Sequence, residues 1–286
     1  MAFSDLTMKV TAEAALQAIH ADLARLQDFA HTYSELEDRK GASIVVPVFD
    51  LSAAADFVAG SNQYDSGVNE IDAATLTLDK HLVKSVAITD RQLAETEVQF
   101  AKDAGIGIAR VLGRAINGYV FGLMNDVNLP LSATLNVGTK AQIANLYKIA
   151  ADNDLDVNDT VVVLNPENFA AVLAQLPANE YNGPEAVRYG YIPGLFGFVS
   201  FVCSTMLPAG VKGVMINRNS VGIASRYLAP LAGAYPAAWK ATDPDSGFSI
   251  GFREFADLGS GVRYLAGDVL CGAKIFYNGT KAVRLV

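Results

Sequence analysis

The chain has 286 residues, of which 51% are hydrophobic and 18% charged, and its formal net charge is −8. That length is ample for a sizeable core in one large domain or two modest ones, and the low charged share points to apolar surface buried between subunits as well as within one. Lys and Arg are scattered without a basic arm, which excludes a protein that grips nucleic acid through a basic patch and leaves only non-specific contact with DNA.

The start of the chain, MAFSDLTMKV, has no basic segment followed by an apolar one, so no signal peptide is expected. No apolar run reaches the length of a membrane span, so no membrane association is expected either. Cys203 and Cys271 lie far apart, outside any C-x-x-C motif, and read as reduced thiols of a cytoplasmic product.

Taken in order, the first element is a helix over residues 11–36, with Leu16, Ile19, Leu23, Leu26 and Phe29 on one face. It can dock on its own domain or, as an arm, on a neighbour. The polar run Glu35 to Gly41 suits a hinge. Residues 43–49 (SIVVPVF) form a β-rich run, with Pro47 favouring an edge position. A second β-rich run covers residues 74–88. The polar stretch 53–72 between them makes the pair an extended hairpin. An isolated ribbon of two strands is marginal in water, so the hairpin is expected to rest on something else, a neighbouring subunit being the natural candidate.

Thr89 and Gln92 match a capping box. From Leu93 to Met124 apolar residues step by three or four: Phe100, Ala104, Ile108, Val111, Leu112, Ala115, Tyr119 and Leu123. The helix this predicts is roughly 50 Å long at about 1.5 Å per residue. Its glycines lower helix propensity but permit close packing. An α/β alternation follows: a helix over 139–153, a buried strand at 160–164 (TVVVL), and a helix from Pro166 to about Leu176 with Asn165 as N-cap. After a Gly- and Pro-bearing loop (177–194), strands are predicted at 196–202 and 213–217 and a short helix or strand at 219–227. Three more strands follow at 248–255, 262–266 and 272–277.

Five stretches in this order carry a resemblance: IVVPVF (44–49) with TLTLDKHLVKSVAITD (75–90), the long helix 91–124, VVVLNPENFAAVL (161–173), GYIPGLFGFVSFVCSTMLPAG (190–210) and GVMINRNSVGIASR (213–226). Together they resemble the major capsid proteins of tailed bacteriophages with the Hong Kong 97-like fold. The resemblance implies an α+β fold with an N-terminal arm (1–40), an E-loop hairpin (41–86), a P-domain with a spine helix (87–126), an α/β A-domain (127–245) and a return to the P-domain (246–286). It implies a structural subunit, not an enzyme. Such a subunit forms hexamers and pentamers of an icosahedral head enclosing double-stranded DNA, is assembled in the bacterial cytoplasm and is found in the virion. Scaffolding, portal and decoration proteins would be separate partners. The alternatives are an encapsulin-type compartment shell and a soluble α/β enzyme with the Asn165-Pro166 turn lining a pocket.

No catalytic, cofactor-binding or metal-binding residues are assigned. His20, His31 and His81 are dispersed and do not have the spacing of zinc ligands. There is no G-x-S-x-G or Walker loop, and Gly105-Ile106-Gly107 lies within a helix pattern. Asp243-Pro244-Asp245-Ser246-Gly247 lacks the closing Glu of a calcium loop and reads as a turn. Asn278-Gly279-Thr280 reads as a hairpin turn. Lys80 and Lys84 are candidates for isopeptide cross-linking, as occurs in some members of that family, but no partner Asn or acid is specified for them.

Overall fold

The fold was obtained as a computed structural model, which describes residues 11–15, 17–18, 26–33, 43–49, 71–176, 191–218, 220–228, 237–243, 247–257 and 262–286. The predicted hinge at 35–41, His20, most of the hairpin tip and most of the loop 177–194 lie outside these residues.

Two six-stranded sheets and a two-stranded ribbon hold the strands. The axis of the first sheet is β13 (Val262–Ile275), 14 residues long. Along one of its edges β4 (Lys80–Thr89) runs antiparallel from Val262 to Cys271. The other edge is shared end to end by β12 (Ser249–Asp257) and β10 (Val221–Arg226). Outside β12 lies β11 (Ala237–Thr242), and outside β10 lies the parallel β1 (Ala30–Thr32). The second sheet has the order β5 (Ser132–Ala133), β14 (Ala282–Leu285), β9 (Gly213–Asn217), β6 (Thr160–Leu164), β8 (Ser200–Cys203), β7 (Tyr191–Pro193). The ribbon pairs β2 (Ser43–Phe49) with β3 (Ile71–Thr77).

The long helix, α1 (Asp90–Gly122), has 33 residues and follows β4 without a break. Its buried stripe is Ile108, Ala109, Leu112, Ile116, Val120 and Phe121. The predicted stripe was right at Ile108 and Leu112 but placed Val111 inside, where it is 47% exposed. The stripe faces both sheets at once. Leu265, Val269 and Cys271 of the first sheet and Val161, Val163, Val202, Val214 and Ile216 of the second belong to the same apolar core.

The second sheet is therefore covered on both faces. Val161 and Val163 point toward α1, while Val162 and Leu164 join a second core with Ile143 and Leu146 of α2 (Lys140–Asp152) and Phe169 and Val172 of α3 (Pro166–Gln175). This is why TVVVL is an unbroken apolar run and not an alternating one. Both helices start as their caps dictate. The Thr139 hydroxyl accepts the Gln142 N–H at 3.3 Å, and the Asn165 side chain accepts the Asn168 N–H at 2.9 Å with Pro166 in the first turn.

The segment 219–227, expected as a short helix or strand, holds the strand β10. Three expectations change. The strand predicted at 196–202 begins only at Ser200, because Gly194, Phe196 and Gly197 adopt positive φ and form a 3-10 turn at Leu195–Gly197. The two strands predicted at 262–266 and 272–277 are the single β13. Its glycines mark close approaches, not breaks: a Cβ on Gly267 would meet Ile108 of α1, and one on Gly272 would meet the Thr77 carbonyl. Finally, Asn278-Gly279-Thr280 does not join a hairpin. It carries the chain from β13 in the first sheet to β14 in the second, through Tyr277, Asn278 and Gly279 at positive φ.

The sheets also cut across the sequence divisions. β10 and β11, within 127–245, pair in the first sheet, and β14, within 246–286, pairs in the second.

Because the Thr77 carbonyl is backbone and cannot rotate away, Gly272→Ala is expected to destabilise the chain by about 2 kcal/mol through overpacking. The midpoint of urea unfolding measures this.

Candidate assembly surfaces

The N-terminal segment is held by the chain's own core. Ala12, Ala15, Leu26 and Phe29 are buried in the core around α1, and the Phe29 ring lies 5.9 Å from that of Phe121. Ala30–Thr32 then adds a parallel strand to β10. The Asp28 carboxylate accepts a hydrogen bond from the Ser200 hydroxyl at 3.0 Å, tying this segment to the second sheet as well. The expectation of an arm docked on a neighbour does not hold for these residues, because the apolar face that would leave the chain is already used within it.

The base of the hairpin rests on its own chain. Val46, Val48, Leu76 and Leu78 form a small core with Ala224 of the first sheet and Phe276 just beyond β13. Alternation explains the rest of β2: Val45, on the other face, is 61% exposed. Only Leu78 and Asp79 separate β3 from β4. There the Tyr119 hydroxyl donates to Asp79 at 2.8 Å, and the Lys80 ammonium lies 5.5 Å from the Tyr119 ring centroid. Burial, reinforced by the bond to Asp79, pushes the Tyr119 phenol up to about 12. Burial likewise pushes the neighbouring Cys271 thiol up to about 12, a thiol kept protonated and inert. Lys84 is exposed further along the same strand.

On the other face of the first sheet a charged cluster joins three strands. Arg253 of β12 donates to Asp268 of β13 at 2.9 Å and to the Leu228 carbonyl at 2.7 Å. His81 of β4 places Nε2 3.5 Å from the same Asp268 oxygen. Burial raises the Asp268 carboxyl above its usual range, against the pull of Arg253 and His81. A Cβ on Gly251 would come within 2.7 Å of the other Asp268 oxygen and 2.8 Å of the Tyr227 ring, so a larger residue there would have to displace one of them. The cluster fastens the edge strand β4 to the sheet. The sequence reading missed it because its members are far apart in the chain and only pairing brings them into register.

His31 stacks edge-on against Tyr33 at 4.6 Å, remote from His81 in the fold. Among the described residues no three His, Cys, Asp or Glu side chains converge as metal ligands would. Asp243 and Gly247 are joined by a backbone hydrogen bond of 2.8 Å where β11 turns into β12. Gly105-Ile106-Gly107 lies in α1, with Gly105 against Thr11. Asn165 and Pro166 serve as the start of α3. Among the described residues no helix is long and apolar enough to cross a membrane.

What the surface offers is strand edges and protrusions. No described strand pairs with the outer edge of β4, β11 or β2, and these strands bear Lys80 and Lys84, Lys240 and Pro47 respectively, residues that discourage indiscriminate pairing. Beyond α1, the loop at Val127 stands out, with that side chain 85% exposed.

No protein-family model matches the sequence, and no curated protein matches it. Solved structures do match in fold. A capsid subunit of a native GTA particle aligns with a TM-score of 0.57 at 15% identity, over 93% of this chain and 89% of that one. A chain from Mycobacterium phage Che8 aligns at 0.53 and 15% identity, over 88% of this chain and 87% of that one. A virus-like particle from Pyrococcus furiosus aligns at 0.55 and 12% identity, over 99% and 100%.

Burial raises the Asp28 carboxyl from its ordinary value of 3.8, while Ser200 and Arg218 pull it down. The folded chain therefore holds this proton more tightly than the unfolded chain. The resulting stabilisation is complete below 3.8 and is lost as pH rises through the raised folded value. Asp28→Asn is expected to gain less stability than the unsubstituted chain when acidified from neutral pH into the carboxylate range, which urea midpoints across that range would measure. The chain has the mixed α+β fold of these shell subunits, the Hong Kong 97-like fold that the order of its sequence elements implied.

Proposed function

We propose that this chain is the major structural subunit of an icosahedral phage head, working by self-assembly and not by catalysis. The observation that carries the reading is the likeness of fold over nearly the whole chain to subunits of particle shells, with matched shares of 86% or more on both sides for phage PhiM1 and the native GTA particle. The naming of several matching structures as phage or GTA capsids favours a head over an encapsulin-type compartment. Copies associate as hexamers and pentamers, and symmetry lets modest contacts sum into a closed shell.

In this reading residues 1–40 are the arm, 41–86 the hairpin, 87–126 the spine, 127–245 the A-domain and 246–286 the return. The hairpin base stays on its own subunit while the tip reaches a neighbour. The interior meets double-stranded DNA through weak, non-specific contacts, in keeping with the net charge of −8. Scaffolding, portal and decoration proteins are the further partners, and assembly takes place in the host cytoplasm before the subunit enters the virion.

Electron microscopy of the purified chain and of a lysate of its source is expected to show closed shells or ring-shaped capsomers. A chain that stays monomeric in both would sink the proposal. Deleting residues 52–72 is expected to abolish closed shells while leaving a folded subunit, checked by sedimentation alongside circular dichroism. Shells of normal yield from that variant would remove the hairpin tip from the assembly mechanism.

A further inference from the structure

The ribbon of β2 and β3 joins the first sheet through a link of two residues, Leu78 and Asp79, and the floor beneath it is glycine. A Cβ on Gly272 would meet the Thr77 carbonyl, and one on Gly222 would meet the Phe276 ring and Leu76. Neither position carries a side chain that could lock the ribbon's angle. The apolar contacts of Val46, Val48, Leu76 and Leu78 hold the ribbon down, but burial is non-directional and permits a pivot.

A directional contact comes from α1. The Tyr119 hydroxyl donates to Asp79 at 2.8 Å, and the Ala273 backbone hydrogen-bonds the same phenol. Ala273 lies just past Cys271, where the pairing of β13 with β4 ends at Lys80. The Lys80 ammonium stands 3.9 Å from the Asp79 carboxylate and 5.5 Å from the Tyr119 ring centroid. One phenol thus ties α1, the end of the β4–β13 ladder and the link together. An angle set here is amplified outward. The 7 residues of β3 span about 23 Å at about 3.3 Å each, so a turn of about 10° at the link moves the far end of β3 by about 4 Å. That is more than a hydrogen bond tolerates.

We infer that Tyr119 and Asp79 are positioning residues for assembly: their bond sets the angle at which the ribbon leaves the subunit, and with it whether the ribbon meets a neighbouring copy, while the fold itself does not depend on it. The inference rests on the shell reading and gives two residues a role within it. Asp79 is half-exposed, so water replaces the lost bond at little cost to the fold, but water restores no direction.

Three substitutions on the full-length chain test this. Tyr119→Phe keeps the ring and removes the hydroxyl. Asp79→Ala removes the acceptor, whereas Asp79→Asn keeps an amide oxygen that accepts the same bond. Tyr119→Phe and Asp79→Ala are each expected to speed hydrogen exchange at residues 71–77 by about tenfold and to lower the yield of closed shells to a similar degree. Exchange along Val262–Cys271 and the thermal midpoint are expected to stay as they are. Combining the two substitutions is expected to be no worse than either alone, and Asp79→Asn is expected to behave as the unsubstituted chain. Normal shell yield from Tyr119→Phe and Asp79→Ala, or faster exchange throughout both sheets, would overturn the positioning role and leave the shell reading intact. Impairment in Asp79→Asn would do the same, by tracing the effect to charge. An unsubstituted chain that forms no shells would overturn both.

Discussion

The clamping of α1 between two sheets is the constraint from which the rest of the architecture follows. Ile108, Leu112, Ile116 and Val120 share one core with Leu265 and Val269 on one side and Val161, Val163 and Val214 on the other. Each buried side chain of this kind stabilises the fold by about 1.5–3 kcal/mol, and the helix cannot leave one sheet without uncovering the other. The second sheet must then be apolar on both faces, which requires α2 and α3 on its far side. The first sheet, covered by α1 on one face, can leave strand edges and part of its other face for different uses.

Glycine appears where this packing brings backbone close to other atoms. Gly267 lies under Ile108, and Gly272 lies under the Thr77 carbonyl at the point where the hairpin leaves for β4. The hairpin's departure is fixed further by the bond from Tyr119 to Asp79 and by Lys80 over the Tyr119 ring. The described base of the ribbon is thus tied to α1 and to β13.

Much of this was legible in the sequence, for physical reasons that differ between elements. The Asn165-Pro166 start of α3 and the Thr139 start of α2 depend on residues within three positions of each other, so local chemistry decided them. TVVVL at 160–164 announced a strand buried on both faces. The order of elements carried the fold. Pairing was not legible, because it depends on residues distant in the chain. Nothing local says that Ala74–Thr77 and Lys80–Ile88 belong to different sheets, or that His81 meets Asp268. Val111 was misplaced because a period of three or four fits two neighbouring stripes of α1, and only the position of Leu265 and Val163 selects between them. Leu26 and Phe29 declared an apolar face but could not declare whose core it would enter.

On the shell reading proposed above, the chain must solve two problems with one sequence: it must bury enough to fold alone and keep enough surface to bind its copies without precipitating. The chain separates them in space. Among the described residues, the buried apolar side chains of the N-terminal segment and the hairpin base close on the chain's own cores. The outer strands β4, β11 and β2 carry lysine or proline, which disfavour unspecific pairing. What remains exposed among the described residues includes single apolar side chains such as Val127, at 85%, and the outer edges of β4, β11 and β2. On the shell reading, contacts made through such features would each contribute little alone, which suits a closed assembly. Weak and reversible pairing lets a misplaced copy leave, and the repetition of the contact around a shell supplies the stability that no single pair holds.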